Sequence, residues 1–270
     1  MARRRPPTTH GLAVVDKPAG VTSHDVVAML RRRFGERQVG HAGTLDPDAT
    51  GILLVGVGRC TRLLRFLTDL GKTYTGQVVF GSTTDSLDST GVVTGTFDMS
   101  GLTAERVRHE VAAHLTGEIE QIPPMVSAVK VDGRRLHELA REGIEVERAP
   151  RPVTVYRFDV RPTADPLVYD IEVHCSKGTY IRTLADDLGR LCGGGAHLRG
   201  LRRVAVGGFT GADSAGPDQV ELLTLPEALR DYSQVHVDAD TAVLVANGRS
   251  LPSFEGNGPW AVVGPDGDLL

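Results

Sequence analysis

One carboxylate in this chain sits in a setting built to present it. Asp46 lies in Gly40-His41-Ala42-Gly43-Thr44-Leu45-Asp46-Pro47-Asp48-Ala49-Thr50-Gly51, a glycine-bounded loop between periodic segments. Gly40, Gly43 and Gly51 permit backbone torsions that a Cβ resists, while Pro47 fixes φ directly after Asp46 and biases Asp46 away from the helical region. A carboxylate held this way is a candidate nucleophile or base. The plain alternative is an Asx-type turn in which Asp46 bonds only its own backbone. To act chemically it must stay ionised while enclosed, which calls for a cation nearby. Glycoside hydrolysis normally needs a second carboxylate as general acid, and the only near candidate, Asp48 beside Ala49-Thr50, gives that reading no specific support.

Other chemistries find less footing. Cys60, Cys175 and Cys192 are widely spaced with no Cys-x-x-Cys pair, and the nine histidines show no metal-ligand spacing, so no metal site and no disulfide framework are expected. Gly56-x-Gly58 is accompanied by no Gly-Lys-Ser/Thr and no complete dinucleotide fingerprint.

The elements that must hold Asp46 follow from periodicity. An apolar strand, 11–15, leads into Lys17-Pro18, after which Ser23 is expected to cap a helix with Val26, Val27, Leu30 and Phe34 on one face. After the loop come a strand-like run, 51–57, and a short helix with Leu63, Leu64 and Leu67 inward. Residues 72–80 alternate as a strand, and 104–115 read as a helix capped by Thr103, with Val107, Val111 and Leu115 at helical spacing. Residues 132–150, charged and carrying Gly133, Gly143 and Pro150, suit an exposed excursion with one short turn around Leu136 to Ala140. Segments 153–160 and 168–175 read as neighbouring antiparallel strands, followed by a helix over 180–191 that Gly193-Gly194-Gly195 ends. A helix is expected near Leu222 to Leu229, then alternating segments 235–237 and 260–263. Strands and helices mix without a βαβ rhythm, which points to an α+β fold.

The string His-Ala-Gly-Thr-Leu-Asp-Pro-x-Ala-Thr-Gly, followed by Gly58-Arg59-Cys60-Thr61-Arg62, resembles the catalytic motif of the TruB family, the tRNA pseudouridine-55 synthases. The likeness extends to Asp16-Lys17-Pro18-Ala19-Gly20-Val21-Thr22-Ser23, Gly71-Lys72-Thr73-Tyr74, Pro123-Pro124 with Ser127-Ala128-Val129-Lys130, Gly178-Thr179-Tyr180-Ile181-Arg182, Gly195-Ala196-His197-Leu198 and Leu201-Arg202-Arg203. These motifs run in the family's order through roughly the first 210 positions.

The resemblance implies a pseudouridine synthase fold, with a mixed, mainly antiparallel central sheet flanked by helices. It implies a catalytic domain over 1–232, and a small PUA-like β-module over 233–270 that stops short of a further expected strand. It implies isomerisation of a uridine in the T-arm loop of tRNA, at position 55, by base flipping and aspartate-dependent breakage and rejoining of the glycosidic bond, without cofactor. Asp46 matches the catalytic aspartate, acting by covalent addition or by taking the proton at ribose C2′; Arg182 matches the cation beside it. Tyr74 matches the active-site tyrosine that stacks on the base. His41 matches the residue that stacks where the base leaves, Tyr180 and Leu201 match positions enclosing the base, and Lys17 and Lys72 match motif lysines used for phosphate contact or loop support, Lys17 being the more structural. The excursion over about 131–152 corresponds to the family's RNA-gripping thumb loop. Two departures are plain: no aromatic residue follows Pro123-Pro124, and His137 stands where the family commonly has tyrosine.

The formal charge of −4 conceals a division. Residues 1–210 hold 28 Lys and Arg against 24 Asp and Glu, whereas residues 211–270 hold 2 against 10. Arginines at 31–33, at 59, 62 and 65, at 134 and 135, and at 199, 202 and 203 are candidates for a phosphate-binding face. The partner expected is a tRNA T-arm stem-loop bound by a monomer. A second reading, an RNA-folding assistant, separates from the enzyme at Asp46→Asn, which abolishes only isomerisation. No apolar run reaches the ~18 residues of a membrane span. The basic residues 1–7 lead into no long apolar stretch, so a cytoplasmic protein is expected.

Overall fold

The structure is a computed structural model describing residues 6–127, 130–131, 133–251, 254–255 and 258–270. Residues 1–5, Ala128, Val129, Asp132 and the side chains of Lys130, Arg135, His137 and Ala140, which figure in the sequence reading, lie outside the described residues. The chain divides into two compact units, residues 1–70 with 205–270, and residues 71–204.

In the first unit, strand β1 (Gly11–Lys17) pairs antiparallel with β3 (Thr50–Val57), setting Val14 opposite Leu54 and Lys17 opposite Gly51, and β2 (Val39–Ala42) pairs antiparallel with β3. Both faces of β1 and β3 are covered, which explains their unbroken apolar runs. Ala13, Val15, Leu53, Val55 and Val57 pack with Val26, Val27 and Leu30 of helix α1 (Ser23–Phe34). Leu12, Val14, Ile52 and Leu54 pack with Cys60, Phe209 and Leu67, the last on helix α2 (Leu64–Asp69).

The start of α1 differs from expectation by one residue. Thr22 is the cap: its hydroxyl accepts the Asp25 N–H at 3.0 Å while the Asp25 carboxylate accepts the Thr22 N–H at 2.8 Å. Hydrogen bonds from the Thr22 hydroxyl and then from the Thr22 N–H hold the Asp25 carboxyl below its ordinary pKa, and Ser23, one place inside the helix, is released for another use. Gly35, at φ 61°, closes the helix. In the tail, the expected helix over 222–229 shrinks to Leu225–Ala228, because Leu222 and Leu223 instead extend the sheet beside β1. Strands Gln234–His236 and Ala261–Val263 pair in parallel, and a helix the sequence reading lacked spans Ala239–Ala246.

In the second unit, β4 (Lys72–Phe80), β5 (Gly117–Gln121), β6 (Arg151–Pro162), β7 (Val168–Cys175) and β8 (Ala196–Val206, of which the residues to 204 belong here) lie in the order β8-β4-β7-β6-β5. Tyr74 faces Val173, and Arg151 faces Gln121, across antiparallel pairs. A bulge between Val155 and Arg157 breaks the register of β6 with β7. Helix α3 (Ala104–His114), capped by Thr103 as expected, buries Val107 and Val111. The excursion contains α4 (Leu136–Arg141), and α5 (Ile181–Leu191) follows β7. The α+β reading therefore holds, with mainly antiparallel strands. No helix among the described residues is long and apolar enough to cross a membrane.

Candidate catalytic site

In the first unit, β2 and β3 absorb both ends of the Gly40–Gly51 segment, leaving a tight loop over 43–49 with Gly43 at φ 89°. Asp46 is half-buried there and Asp48 is exposed. The residues on both sides of Asp46 are gripped at their main chains by buried side chains. The Ser23 hydroxyl accepts the Leu45 N–H at 2.9 Å and donates to the Leu45 carbonyl at 3.2 Å. On the other side, the Pro47 carbonyl accepts from Lys17 Nζ at 2.9 Å and from the Gly20 N–H at 3.0 Å. Lys17 is 0% exposed, and its ammonium also donates to the carbonyls of Pro18 and Val21. Of the two uses expected for Lys17, this geometry is loop support, since a fully enclosed ammonium does not reach a phosphate. His41 lies on β2, its ring edge-on to His24 with centroids 5.4 Å apart.

In the second unit, Tyr74 on β4 is buried, and the guanidinium of Arg203 lies 6.0 Å from its ring centroid. Arg203 is 1% exposed, so it leaves the set of arginines expected on a phosphate-binding face. Tyr180, half-buried, precedes α5, and Arg182 is that helix's second residue. Arg182 is buried, which removes the helix-surface reading. Its guanidinium donates to the carbonyls of Ser86 and Val126, each at 2.8 Å, and its Nε lies 3.7 Å from the Asp88 carboxylate. Asp88 is itself held by the Ser86 and Thr90 hydroxyls at 2.7 and 2.6 Å. Its loop, in which Leu87 takes φ 62°, is tied to β8 by reciprocal bonds of Leu87 and Ser89 with Leu198. A guanidinium so fixed offers a pre-oriented positive charge. Lys72 is buried and Leu201 half-buried, on β4 and β8.

Sequence reasoning missed four participants. Ser23 was read as a cap, and Ser86, Asp88 and Gln121 were not singled out. Asp85-Ser86-Leu87-Asp88-Ser89-Thr90-Gly91 carries the Asp/Ser/Thr/Gly signature of a turn, but nothing local says what the turn supports. Burial pushes the thiols of Cys60 and Cys175 up to about 12 and about 11, so both are neutral packing groups. Among the described residues, no group of three or more His, Cys, Asp or Glu could hold a metal ion.

Comparison with known proteins gives a consistent result. Residues 31–181 match the profile of the TruB family pseudouridylate synthase N-terminal domain, and residues 182–237 that of the tRNA pseudouridylate synthase B C-terminal domain. The chain is similar to tRNA pseudouridine synthase B of Rhodococcus jostii (strain RHA1), 48% identical with 96% of this chain and 88% of that protein covered. It is similar to the enzyme of the same name from Corynebacterium glutamicum (strain R), 45% identical over 96% and 90% of the two chains. Among solved structures it resembles a chain of a Cbf5-Nop10-Gar1 complex, with a TM-score of 0.72 and 23% identity over 96% of this chain and 76% of that one, a likeness of fold.

Proposed function

This chain belongs to the TruB family of pseudouridylate synthases and isomerises uridine in tRNA to pseudouridine, and from that premise we propose that its target is the position-55 uridine of the T-arm loop, with Asp46 as the group that starts the reaction. The observation that carries the assignment of Asp46 is the double clamp on its neighbours, Ser23 on Leu45 and Lys17 on Pro47, which holds one carboxylate loop in a single conformation.

In this reading the target base leaves its stack at a cost of a few kcal/mol, met in the protein by stacking and hydrogen bonding. Asp46 adds to the sugar or base, or takes the proton at ribose C2′. The bond from C1′ to base N1 breaks, the base turns, C1′ joins base C5 as the bond to Asp46 breaks or the C2′ proton returns, and the proton lost from C5 is balanced by one gained at N1. No electron is gained or lost, so no cofactor or metal is required. Arg182 keeps the carboxylate ionised, Tyr74 stacks on the base and assists removal of the C5 proton, Tyr180 and Leu201 enclose it, and His41 fills the space it vacates. Lys72 supports the loop or contacts phosphate.

The thumb, about 131–152, grips the stem-loop. Arg59, Arg62 and Arg65, exposed at a spacing of three, supply phosphate contacts. Residues 1–232 form the catalytic domain and 233–270 a PUA-like module. The enzyme works as a monomer in the cytoplasm.

The test is pseudouridine mapping of T-arm stem-loop RNA incubated with the wild-type protein and with Asp46→Asn, without added metal or cofactor, beside a binding titration. Product at one loop uridine with the wild type only, and binding by both, is the expected result. Binding without product from the wild type would favour an RNA-folding role, and product from Asp46→Asn would remove Asp46 from the chemistry.

A further inference from the structure

We propose that Gln121 is a positioning residue for the isomerisation: its side-chain amide holds the main chain of Tyr180, the uncapped residue at the start of α5, and so fixes the backbone from which Tyr180 and Arg182 project. The inference rests on the reading of those two residues as parts of the site.

Helix α5 begins without a side-chain cap from its own sequence, since Tyr180 occupies that position and makes no such bond. The first N–H groups of a helix need partners from elsewhere, and a start without them frays. Here the hold on Tyr180 comes from the sheet. Gln121, 2% exposed at the end of β5, accepts the Tyr180 N–H through Oε1 at 2.9 Å and donates through Nε2 to the Tyr180 carbonyl at 3.3 Å. A primary amide can serve an N–H and a C=O of the same residue at once, as a neighbouring strand would. Both ends of the Tyr180 main chain are thus held, and the Tyr180 carbonyl also accepts the Leu184 N–H, the first bond of the helix.

The same short segment reaches Arg182 a second way. Gln121 faces Arg151 in the last pair joining β5 to β6, and the residues between them form the excursion. Five residues beyond Gln121, the Val126 carbonyl accepts from the Arg182 guanidinium. Residues 121–126 therefore grip α5 at the main chain of Tyr180 and at the side chain of Arg182, where the excursion leaves the sheet. Displacement of a reacting group's support by a fraction of an ångström is enough to slow a reaction held by orientation, so Gln121 is expected to act on rate while leaving RNA affinity alone.

The experiment compares full-length wild type, Gln121→Glu and Gln121→Met in single-turnover isomerisation and in RNA binding, from about pH 5.5 to about pH 8.5, where a buried glutamate titrates. An ionised glutamate keeps the acceptor for the Tyr180 N–H but opposes the Tyr180 carbonyl; protonated, it restores the donor. The charged groups that the structure gives beside this segment are Arg151, opposite Gln121, Arg148, which donates to the Pro123 carbonyl, and Arg182, with Asp88 beside it. Relative to wild type at each pH, Gln121→Glu is expected to lose roughly ten- to a hundredfold in rate at high pH and to recover most of it at low pH, with Gln121→Met slow at every pH and all three binding RNA alike. Recovery on acidification within one protein excludes misfolding as the cause of the loss. Wild-type rates from both variants, or a pH-independent loss that tracks loss of RNA binding, would overturn the proposal. Arg182→Ala runs alongside: if it isomerises at the wild-type rate, the reading of the site fails, whereas an inactive Arg182→Ala beside fully active Gln121 variants refutes the role of Gln121 alone.

Discussion

Replacing Lys17 by methionine tests whether its buried ammonium supports the Asp46 loop. The substitution keeps the length and most of the volume of the side chain and removes only the charge and its donors. Three carbonyls lose a donor, those of Pro18, Val21 and Pro47. Pro47 keeps the Gly20 N–H at 3.0 Å, so two of the three are stripped of the donor seen here. A fully buried unsatisfied acceptor costs about 1–3 kcal/mol, but Pro18 is exposed and Val21 half-buried, so water relieves part of that cost at both. Against this stands the desolvation of the ammonium, several kcal/mol that methionine does not incur, part of which the three bonds had offset. A net loss of about 1–2 kcal/mol is expected, which at about 2–4 °C per kcal/mol lowers the melting temperature by roughly 2–8 °C. The single-turnover rate should fall as well, since the Pro47 carbonyl, next to Asp46, loses one of its two tethers. Scanning calorimetry and single-turnover isomerisation on one preparation provide the test. A melting temperature within a degree or so of wild type, with full activity, would refute the view that the ammonium organises this loop.

Ser23→Ala should leave the helix cap at Thr22–Asp25 intact but orphan the Leu45 N–H, lowering stability by about 1–3 kcal/mol and slowing single turnover with RNA affinity unchanged; an unaltered rate would show that this hydroxyl does not position Asp46. The Asp213 carboxyl, held at about 2 chiefly by its hydrogen bond with Arg230 and also by the Thr210 backbone N–H, lies below the ordinary 3.8. Its contribution is therefore complete above that ordinary value and lost as pH falls through about 2, so Asp213→Asn should be less stable than wild type at neutral pH, with the gap closing as acid unfolding curves approach pH 2. In Gly189→Ala the new Cβ would lie 2.2 Å from the Ala196 backbone nitrogen, where no flexible side chain can yield. Overpacking of about 1–3 kcal/mol should appear in urea unfolding, and a neutral result would mean that α5 and the start of β8 part more readily than their contact suggests.

Residues close in sequence were the legible ones. The periodicity of Val26, Val27 and Leu30, the alternation over 72–80, the Thr103 cap and the glycines after α5 each state their own local structure. Strands β5 and β8 were not legible: Gly117-Glu118-Ile119-Glu120-Gln121 is short and polar, and Ala196–Val206 is interrupted by Gly200 and its arginines. Both form because neighbours in the sheet accept them, and that override leaves no local trace. The candidate site divides the same way. Asp46 was visible through its glycines and proline, and Arg182 and Tyr74 through family motifs. The groups that hold them were not, because Ser23 and Leu45 are 22 residues apart, Gln121 and Tyr180 59, and Arg182 and Ser86 96. Arg203 shows the converse error, since a run of arginines reads as surface until one of them is found under a tyrosine ring.

Ser23 and Gln121 take hold of peptide groups, not of side chains, at Leu45 and Tyr180. Anything with a backbone can be gripped that way. The placement of the reactive groups is thereby insulated from what residues 45 and 180 carry, and an engineer seeking a different base could rebuild the surface at 180 while retaining the tether beneath it. The vulnerable letters are elsewhere, at 17, 23 and 121, positions that touch no substrate in this scheme and that a library aimed only at the pocket would leave alone.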